Sequence, residues 1–519
     1  MLFNSFQFLF CFLPITLLIF FQFGRHSQTL AGLWLFGASL FFYGWWNPAY
    51  VGLLMGSILF NYGVGTVLSK QKRNNSGHNK WILGFGVSIN LLLLGYYKYT
   101  NFFIENANAT LGLNWHIEPI ILPLGISFFT FTQIAFLVDA YRGQVKEANL
   151  IHYGLFVTYF PHLIAGPVLH HNEMMPQFAL RATYRLNWEN LSVGLTIFSI
   201  GLFKKVVLAD GISPYSTPIF EIATQKGTLT FLEAWGGALA YTFQLYFDFS
   251  GYSDMAIGIS RLFGVKLPLN FNSPYKAVNI TEFWRCWHMT LSRFLRDYLY
   301  FALGGNRKGS VRRYINLLAT MLLGGFWHGA GWTFIIWGSL HGIYLVINHG
   351  WHQLRRTLGH NLTQSTFQGR LASRILTFVF VVIGWVFFRA ENLDAALAIL
   401  KGMGGFNGIN LHGSWQWLFH WRIQQAMASA GIHFGPLPAI YGEHSVIVIW
   451  IIALWSLVWL APNTQQILAA FNPTIEEIKS PSKILLWRPN WHFAVLTGLI
   501  FAFALCSMRR VSEFLYFQF

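Results

Sequence analysis

Gln244-Leu245-Tyr246-Phe247-Asp248-Phe249-Ser250-Gly251-Tyr252-Ser253-Asp254, then Phe283-Trp284-Arg285-Cys286-Trp287-His288-Met289-Thr290-Leu291-Ser292-Arg293, then Gly325-Phe326-Trp327-His328-Gly329-Ala330-Gly331-Trp332, all fall between Phe243 and Gly342. Carboxylates, arginines and histidines are threaded here through glycine- and aromatic-rich sequence whose hydropathy places it at membrane depth. Ionisable groups are costly in hydrocarbon and are by default functional candidates there. The remaining sequence reads as the scaffold that holds this stretch.

Composition gives the broad class. Hydrophobic residues make up 54% and charged residues 10% of the 519 positions, against roughly 25% charged in an average soluble domain. That deficit indicates a polytopic membrane protein. The net charge of +16 does not imply nucleic acid, because the basic residues cluster in short loops between apolar runs, as the positive-inside rule expects. Cys11, Cys286 and Cys506 give neither a disulfide framework nor a metal-ligand spacing. The first apolar run lacks a cationic start and a small-residue cleavage pattern before Arg25, so it reads as a retained transmembrane helix.

Apolar segments long enough to span roughly 30 Å of hydrocarbon are expected near 6–23, 30–46, 50–68, 81–97 and 119–138. The loop 69–80, with Lys70, Lys72, Arg73 and Lys80, is expected in the cytoplasm, and the loop 98–118, with Lys98 and Glu105, outside. From 119 to 208, Pro123-Leu124-Gly125, Ala165-Gly166-Pro167, Arg181, Arg185, Lys204 and Lys205 point to short, broken or re-entrant helices, which protein or a cavity must cover. Further spans are expected near 332–349, 372–388, 446–461 and 490–507, with 404–445 extracytoplasmic. The fold class is therefore an all-α polytopic integral membrane protein with roughly 11–14 transmembrane or re-entrant helices. Residues 1–519 read as a single membrane-embedded domain: scaffold helices over 1–118, a catalytic core over 119–349 and C-terminal helices over 350–519.

Between Lys276 and Arg313 there are eight Lys/Arg and two acidic residues, which places this segment on the cytoplasmic side. Asn279 followed by Glu282 resembles a capping box. One helix from about 280 to 300 would put Arg285, His288 and Ser292 on a common face and pair Arg293 with Asp297. The next run enters from the cytoplasm at Tyr314, which carries His328 roughly 21 Å along an unbroken helix, past the bilayer middle.

His328, flanked by Trp327, Trp332 and small residues, suits a general base toward a hydroxyl; a neutral histidine bonded across helices is the plainer alternative. His288 alone would read as a solvated or capping side chain. Residues two apart on a helix diverge, so a Cys286–His288 dyad does not follow. Asp248 and Asp254 suit a proton relay, or a structural network with Ser250, Ser253, Tyr252 or a neighbouring arginine. His162, His170, His171 and Glu173 invite a zinc reading, yet lack the His-Glu-x-x-His spacing. Loop histidines or channel-lining groups are expected instead, and no metal site.

Taken together the motifs resemble the membrane-bound O-acyltransferase (MBOAT) family, in its bacterial alginate O-acetyltransferase-like branch. The resemblance rests on Phe160-Pro161-His162-Leu163-Ile164-Ala165-Gly166-Pro167, Tyr246 to Asp254, Phe271-Asn272-Ser273-Pro274-Tyr275, Trp287 to Tyr298, Leu303-Gly304-Gly305-Asn306-Arg307 and Trp327-His328-Gly329-Ala330. These blocks run in order from about 120 to 345. By this resemblance His328 matches the essential intramembrane histidine and His288 the second polar position. Cys286 stands where a basic residue is common, and no role is carried onto it.

The resemblance implies tilted and broken helices ringed around a central catalytic tunnel, in a multi-pass protein of the bacterial inner membrane. It implies O-acetylation of an exopolysaccharide or other cell-envelope glycan, directly or through a periplasmic esterase-like acetyltransferase or a polysaccharide-synthesis complex. Acetyl-CoA would be the cytoplasmic donor, a co-substrate and not a tightly bound cofactor. Arg285, Arg293, Arg296 and Arg307 would receive its phosphates. His328 would act as base or transient acyl acceptor, and His288 would orient the thioester. Two other functions are carried alongside. A proton-coupled transporter or flippase would use Asp248, Asp254, His288 and His328, but predicts pseudo-symmetric halves that the sequence lacks. A docking platform for an outside acetyltransferase would use 404–445.

Overall fold

The computed structural model describes residues 1–70, 76–145, 149–361, 366–435, 444–508 and 512–515. Lys72 and Arg73 of the basic loop, and residues 436–443 of the 404–445 segment, lie outside the described residues. The chain is a multi-pass helical membrane protein. Among the described residues four helices are long and apolar enough to cross a bilayer: Ala49–Lys70, Gly77–Leu111, Trp188–Thr224 and Phe367–Arg389. Shorter apolar helices include Phe8–Gly24, Ile126–Tyr141, Val446–Leu460 and Trp491–Ser507. Several start at a side-chain cap that satisfies an orphan backbone N–H. Ser27 does so for Gln28–Gly44, Asn187 for Trp188 onward and Asn490 for Trp491–Ser507.

The elements around the site are labelled α1 (Trp188–Thr224), α2 (Phe231–Leu262), α3 (Ile280–Cys286), α4 (Met289–Phe294), α5 (Gly309–His328), α6 (Trp332–Thr357) and α7 (Phe367–Arg389). The 32-residue α2 is about 48 Å long, so it tilts within a bilayer of ordinary thickness. Its Ala234–Phe249 portion packs into one aromatic core and Tyr252–Leu262 into another. Within 404–445 lies a small exception to the all-helical pattern, a parallel pair of strands, β1 (Ile409–His412) and β2 (Ile432–Gly435).

Two expectations are corrected here. Lys204 and Lys205 do not mark a broken helix: α1 runs through them for 37 residues, with a wider π turn over Lys204–Ala209. The charges are tolerated because α2 supplies carboxylates. Its approach depends on glycines. A Cβ on Gly194 would stand 2.7 Å from the Gly258 carbonyl oxygen, and one on Gly201 2.7 Å from that of Gly251, so the two backbones touch. Nor is 98–118 all loop, since the helix that starts at Gly77 continues to Leu111 and carries Lys98 inside it. By contrast 126–184 is divided as expected, into Ile126–Tyr141, Leu150–Thr158, Phe160–Leu163, His171–Phe178 and a 3-10 turn.

Candidate active site

The helix α5 ends at His328, where Gly329-Ala330-Gly331 offers poor helix formers and the backbone becomes extended at Gly329. It then returns as α6. Gly325 and Gly338 let the two antiparallel helices close up, since a Cβ on Gly325 would lie 2.9 Å from the Gly338 Cα. The turn leaves His328 only 6% exposed. Its ring meets Trp337 edge-on at 5.1 Å, Phe388 at 5.3 Å and Trp327 at 5.0 Å.

His288 is not on the face of one long helix. The start is as expected, with Asn279 Oδ1 accepting from the Glu282 N–H at 2.9 Å. But α3 stops at Cys286, and α4 begins at Met289. His288 is the hinge, at φ 42°, ψ 53°, a left-handed conformation uncommon outside glycine and costing about 1–3 kcal/mol. The turn drives the imidazole inward, where it is 1% exposed. Arg285 therefore faces solvent while His288 faces the core. Arg293 does not pair with Asp297 either: it binds Glu173 at 2.6 Å, and Asp297 takes Arg296 at 2.7 Å.

Asn270 fixes the imidazole. Its Oδ1 accepts from the Thr290 hydroxyl at 2.9 Å and from the Thr290 N–H at 3.4 Å. That oxygen cannot donate, so His288 Nδ1–H donates to it, at 3.1 Å. A neutral His288 then keeps its acceptor lone pair on Nε2. Asn270 in turn donates to Ser253 at 3.2 Å. The His288 and His328 ring centroids lie 6.4 Å apart.

Cavities adjoin both ends of α5. At the His328 end, one of about 490 Å³ is lined by His328, Lys98, Ser127, Trp45, Trp46 and Glu513, among others. At the other end, a basic cavity of about 600 Å³ is lined by Arg285, Arg313, His349, His352 and Arg356 with Asn279 and Glu282. A neighbouring cavity of about 450 Å³ is lined by Arg285, Arg293, Arg296, Ser292 and Glu476. Arg313 and His328 are separated by fifteen residues of α5, or about 22 Å. Of the arginines expected at a donor site, Arg285 lines both basic cavities, Arg293 and Arg296 line one, and Arg307 lines none of these three. Arg313 and Arg356 were not singled out from sequence. Their spacing along the chain hides that α5 and α6 bring them together.

A profile of the MBOAT, membrane-bound O-acyltransferase family matches residues 16–389, which takes in both histidines and all the helices that hold them. The chain belongs to the membrane-bound O-acyltransferase family. It is an acyltransferase. Relatives of this O-acyltransferase include the peptidoglycan O-acetyltransferase of Helicobacter pylori, 47% identical over 79% of this chain and 81% of the relative. The probable alginate O-acetylase AlgI of Pseudomonas aeruginosa is 38% identical with both chains covered in full. A teichoic acid D-alanyltransferase of Streptococcus thermophilus is 31% identical over 45% of this chain and 59% of the relative.

The other candidate residues of this O-acyltransferase have structural partners. Asp248 accepts from Lys205 at 2.5 Å and from the Leu515 N–H at 3.1 Å. Asp254 accepts from Lys204 and Thr464, both at 2.6 Å, and from Gln465 at 2.8 Å. The partners are thus lysines of α1, not an arginine. His171 Nδ1 lies 3.1 Å from Asp139, Tyr298 donates to the same carboxylate oxygen at 2.7 Å, and His170 is 3.0 Å from Tyr298. Among the described residues no three His, Cys, Asp or Glu side chains cluster as a metal site would need. Burial, then Glu282, pushes the Cys286 thiol up to about 11, so Cys286 is poor in the thiolate a nucleophile needs. His341 is a buried histidine that sequence reasoning passed over. Its Nδ1 accepts from Trp284 Nε1 at 3.3 Å, and its ring stands 4.9 Å from Trp337. It props the tryptophan that walls His328.

Proposed function

We propose that this protein moves an acetyl group from cytoplasmic acetyl-CoA across the bacterial inner membrane to a hydroxyl of a cell-envelope glycan, directly or through a periplasmic esterase-like acetyltransferase. The observation that carries the reading is the 6.4 Å pairing of His288 and His328, with basic cavities toward one end of α5 and an open cavity at the other. The positive-inside reading puts the basic end in the cytoplasm, where the donor is made. Arg285, with Arg313 and Arg356 beside it, would take coenzyme A phosphates; Arg293, Arg296 and Arg307 would add to the attracting field.

In the proposed reaction the acceptor hydroxyl reaches His328 from the outer cavity. His328 takes its proton as the oxygen attacks the thioester carbonyl, which His288, tethered by Asn270, orients. The tetrahedral intermediate collapses by breaking the carbon–sulfur bond, and the departing thiolate takes the proton from His328. Thioester and alcohol become ester and thiol, with no resident cofactor. The aromatic walls exclude water that would otherwise hydrolyse the donor. Residues 1–519 would act as one catalytic unit in this scheme. The 404–445 segment, with Phe406 and Trp417 strongly exposed, would face the outside partner.

The test is acetate released by mild base from envelope polysaccharides of cells with and without the protein. The proposal expects a marked fall without it; equal acetate in both strains would refute the reading. For the partner, a 404–445 deletion that still retrieves the outside acetyltransferase in full would remove that part alone.

A further inference from the structure

The polar residues on the outer side of His328 include one that the reaction above does not use. Lys98 sits in a π turn, Gly95–Tyr99, within the helix Gly77–Leu111; such turns are frequent at functional sites. Its ammonium donates to the Trp327 carbonyl at 2.5 Å, the His328 carbonyl at 3.1 Å and the Ser127 hydroxyl at 3.3 Å. The next residue, Tyr99, donates to the Phe326 carbonyl at 3.0 Å and stacks on the Phe326 ring at 4.2 Å. Among the described residues no ion pair joins Lys98 to a carboxylate.

The last carbonyls of a helix have no partner within it, and inside a bilayer there is little water to replace one. The helix end also carries partial negative charge, which favours a cation. Capping alone does not require a lysine, since Tyr99 serves Phe326 with a neutral hydroxyl one residue earlier. Lys98 differs in grasping the carbonyl of His328 itself and lining the cavity into which His328 opens. We infer that Lys98 is a positioning residue for the reaction: by clamping the end of α5 it fixes the backbone from which His328 reaches toward His288 and the outer cavity. This rests on the reading of His328 as the base. A misplacement of about 1 Å at such a site costs about 10²-fold in rate, a loss in kcat that leaves donor binding at the far end of α5 alone.

The test uses the full-length protein in membrane vesicles that retain envelope glycan, titrated with acetyl-CoA, with the membrane-embedded protein and its melting temperature measured for each variant. Lys98→Met is expected to lower kcat by about 10²-fold with KM for acetyl-CoA within about two-fold of wild type. Lys98→Arg restores most of the rate. Tyr99→Phe, which removes the neighbouring cap, loses less than about five-fold. Wild-type kcat in Lys98→Met overturns the inference. So does a loss shared equally by Tyr99→Phe, or one that Lys98→Arg fails to rescue, because each leaves a general capping role or none. If Lys98→Met does not accumulate in membranes, Lys98→Gln, which can still donate, carries the same comparison. His328→Ala run alongside separates the two readings. Full activity there defeats the assignment of His328, whereas an inactive His328→Ala beside an unaffected Lys98→Met defeats only the role of Lys98.

Discussion

The α1–α2 contact and the place where His288 approaches His328 both bury ionisable side chains, yet they treat them differently. Between α1 and α2, lysine meets aspartate, and the carboxylate oxygens of Asp248 and Asp254 are occupied by donors. The two histidines are instead held at chain breaks, His288 at the left-handed hinge between α3 and α4 and His328 at the end of α5, among aromatic rings. A neutralised pair braces, whereas the proposed function asks an imidazole held at a chain break to carry a proton. The same contrast argues against the transporter reading, because the two aspartates it needs are already committed.

The contrast can be broken by mutation. The largest effect is expected from Lys205→Met, which leaves Asp248 buried without its cation. Loss of one partner of such a pair costs about 3–5 kcal/mol, seen as protein missing from the membrane or a steep fall in melting temperature. Adding Asp248→Asn removes the orphaned charge and keeps an acceptor for the Leu515 N–H, so stability should return in part. No recovery in the double variant would mean that the pair does more than brace. Next is Asn270→Ala, which frees the His288 ring. Acyl transfer should fall by about 10²-fold while the melting temperature drops only by the equivalent of about 1–3 kcal/mol; unchanged turnover would remove Asn270 and His288 from the mechanism together. The smallest is Cys286→Ala. A thiol pushed up by burial and Glu282 is no nucleophile near neutral pH, so turnover should stay within about two-fold of wild type. Loss comparable to Asn270→Ala would instead make Cys286 part of the reaction.

Hydropathy was enough to find several of the apolar helices, because length and composition alone decide them: Ala49–Lys70, Phe367–Arg389 and Trp491–Ser507 lie within a few residues of the expected spans. What hydropathy could not reveal was the identity of the partners. Lys204 and Lys205 look like the end of a span until the glycine contacts with α2 bring Asp248 and Asp254 to them. Lys98 looks like a loop cation until its carbonyl partners, more than two hundred residues away, are known. The hinge at His288 was hidden for a different reason. Asn279 and Glu282 announce a helix start, and no proline or glycine announces its end; the break depends on Asn270, whose backbone carbonyl binds the Met289 N–H at 2.9 Å and whose side chain takes His288. The two histidines were singled out by their motif context, and only the folded chain brings their rings within 6.4 Å of each other.

The central claim is that His328 performs proton transfer at the meeting point of donor and acceptor. Its most direct measurement is base-labile acetate on envelope polysaccharides in cells that carry His328→Ala as their only copy, normalised to protein inserted in the membrane. Wild-type insertion with acetate reduced by about 10²–10⁴-fold or to background is predicted, the range a positioned general base contributes. Wild-type insertion with undiminished acetate would contradict the account.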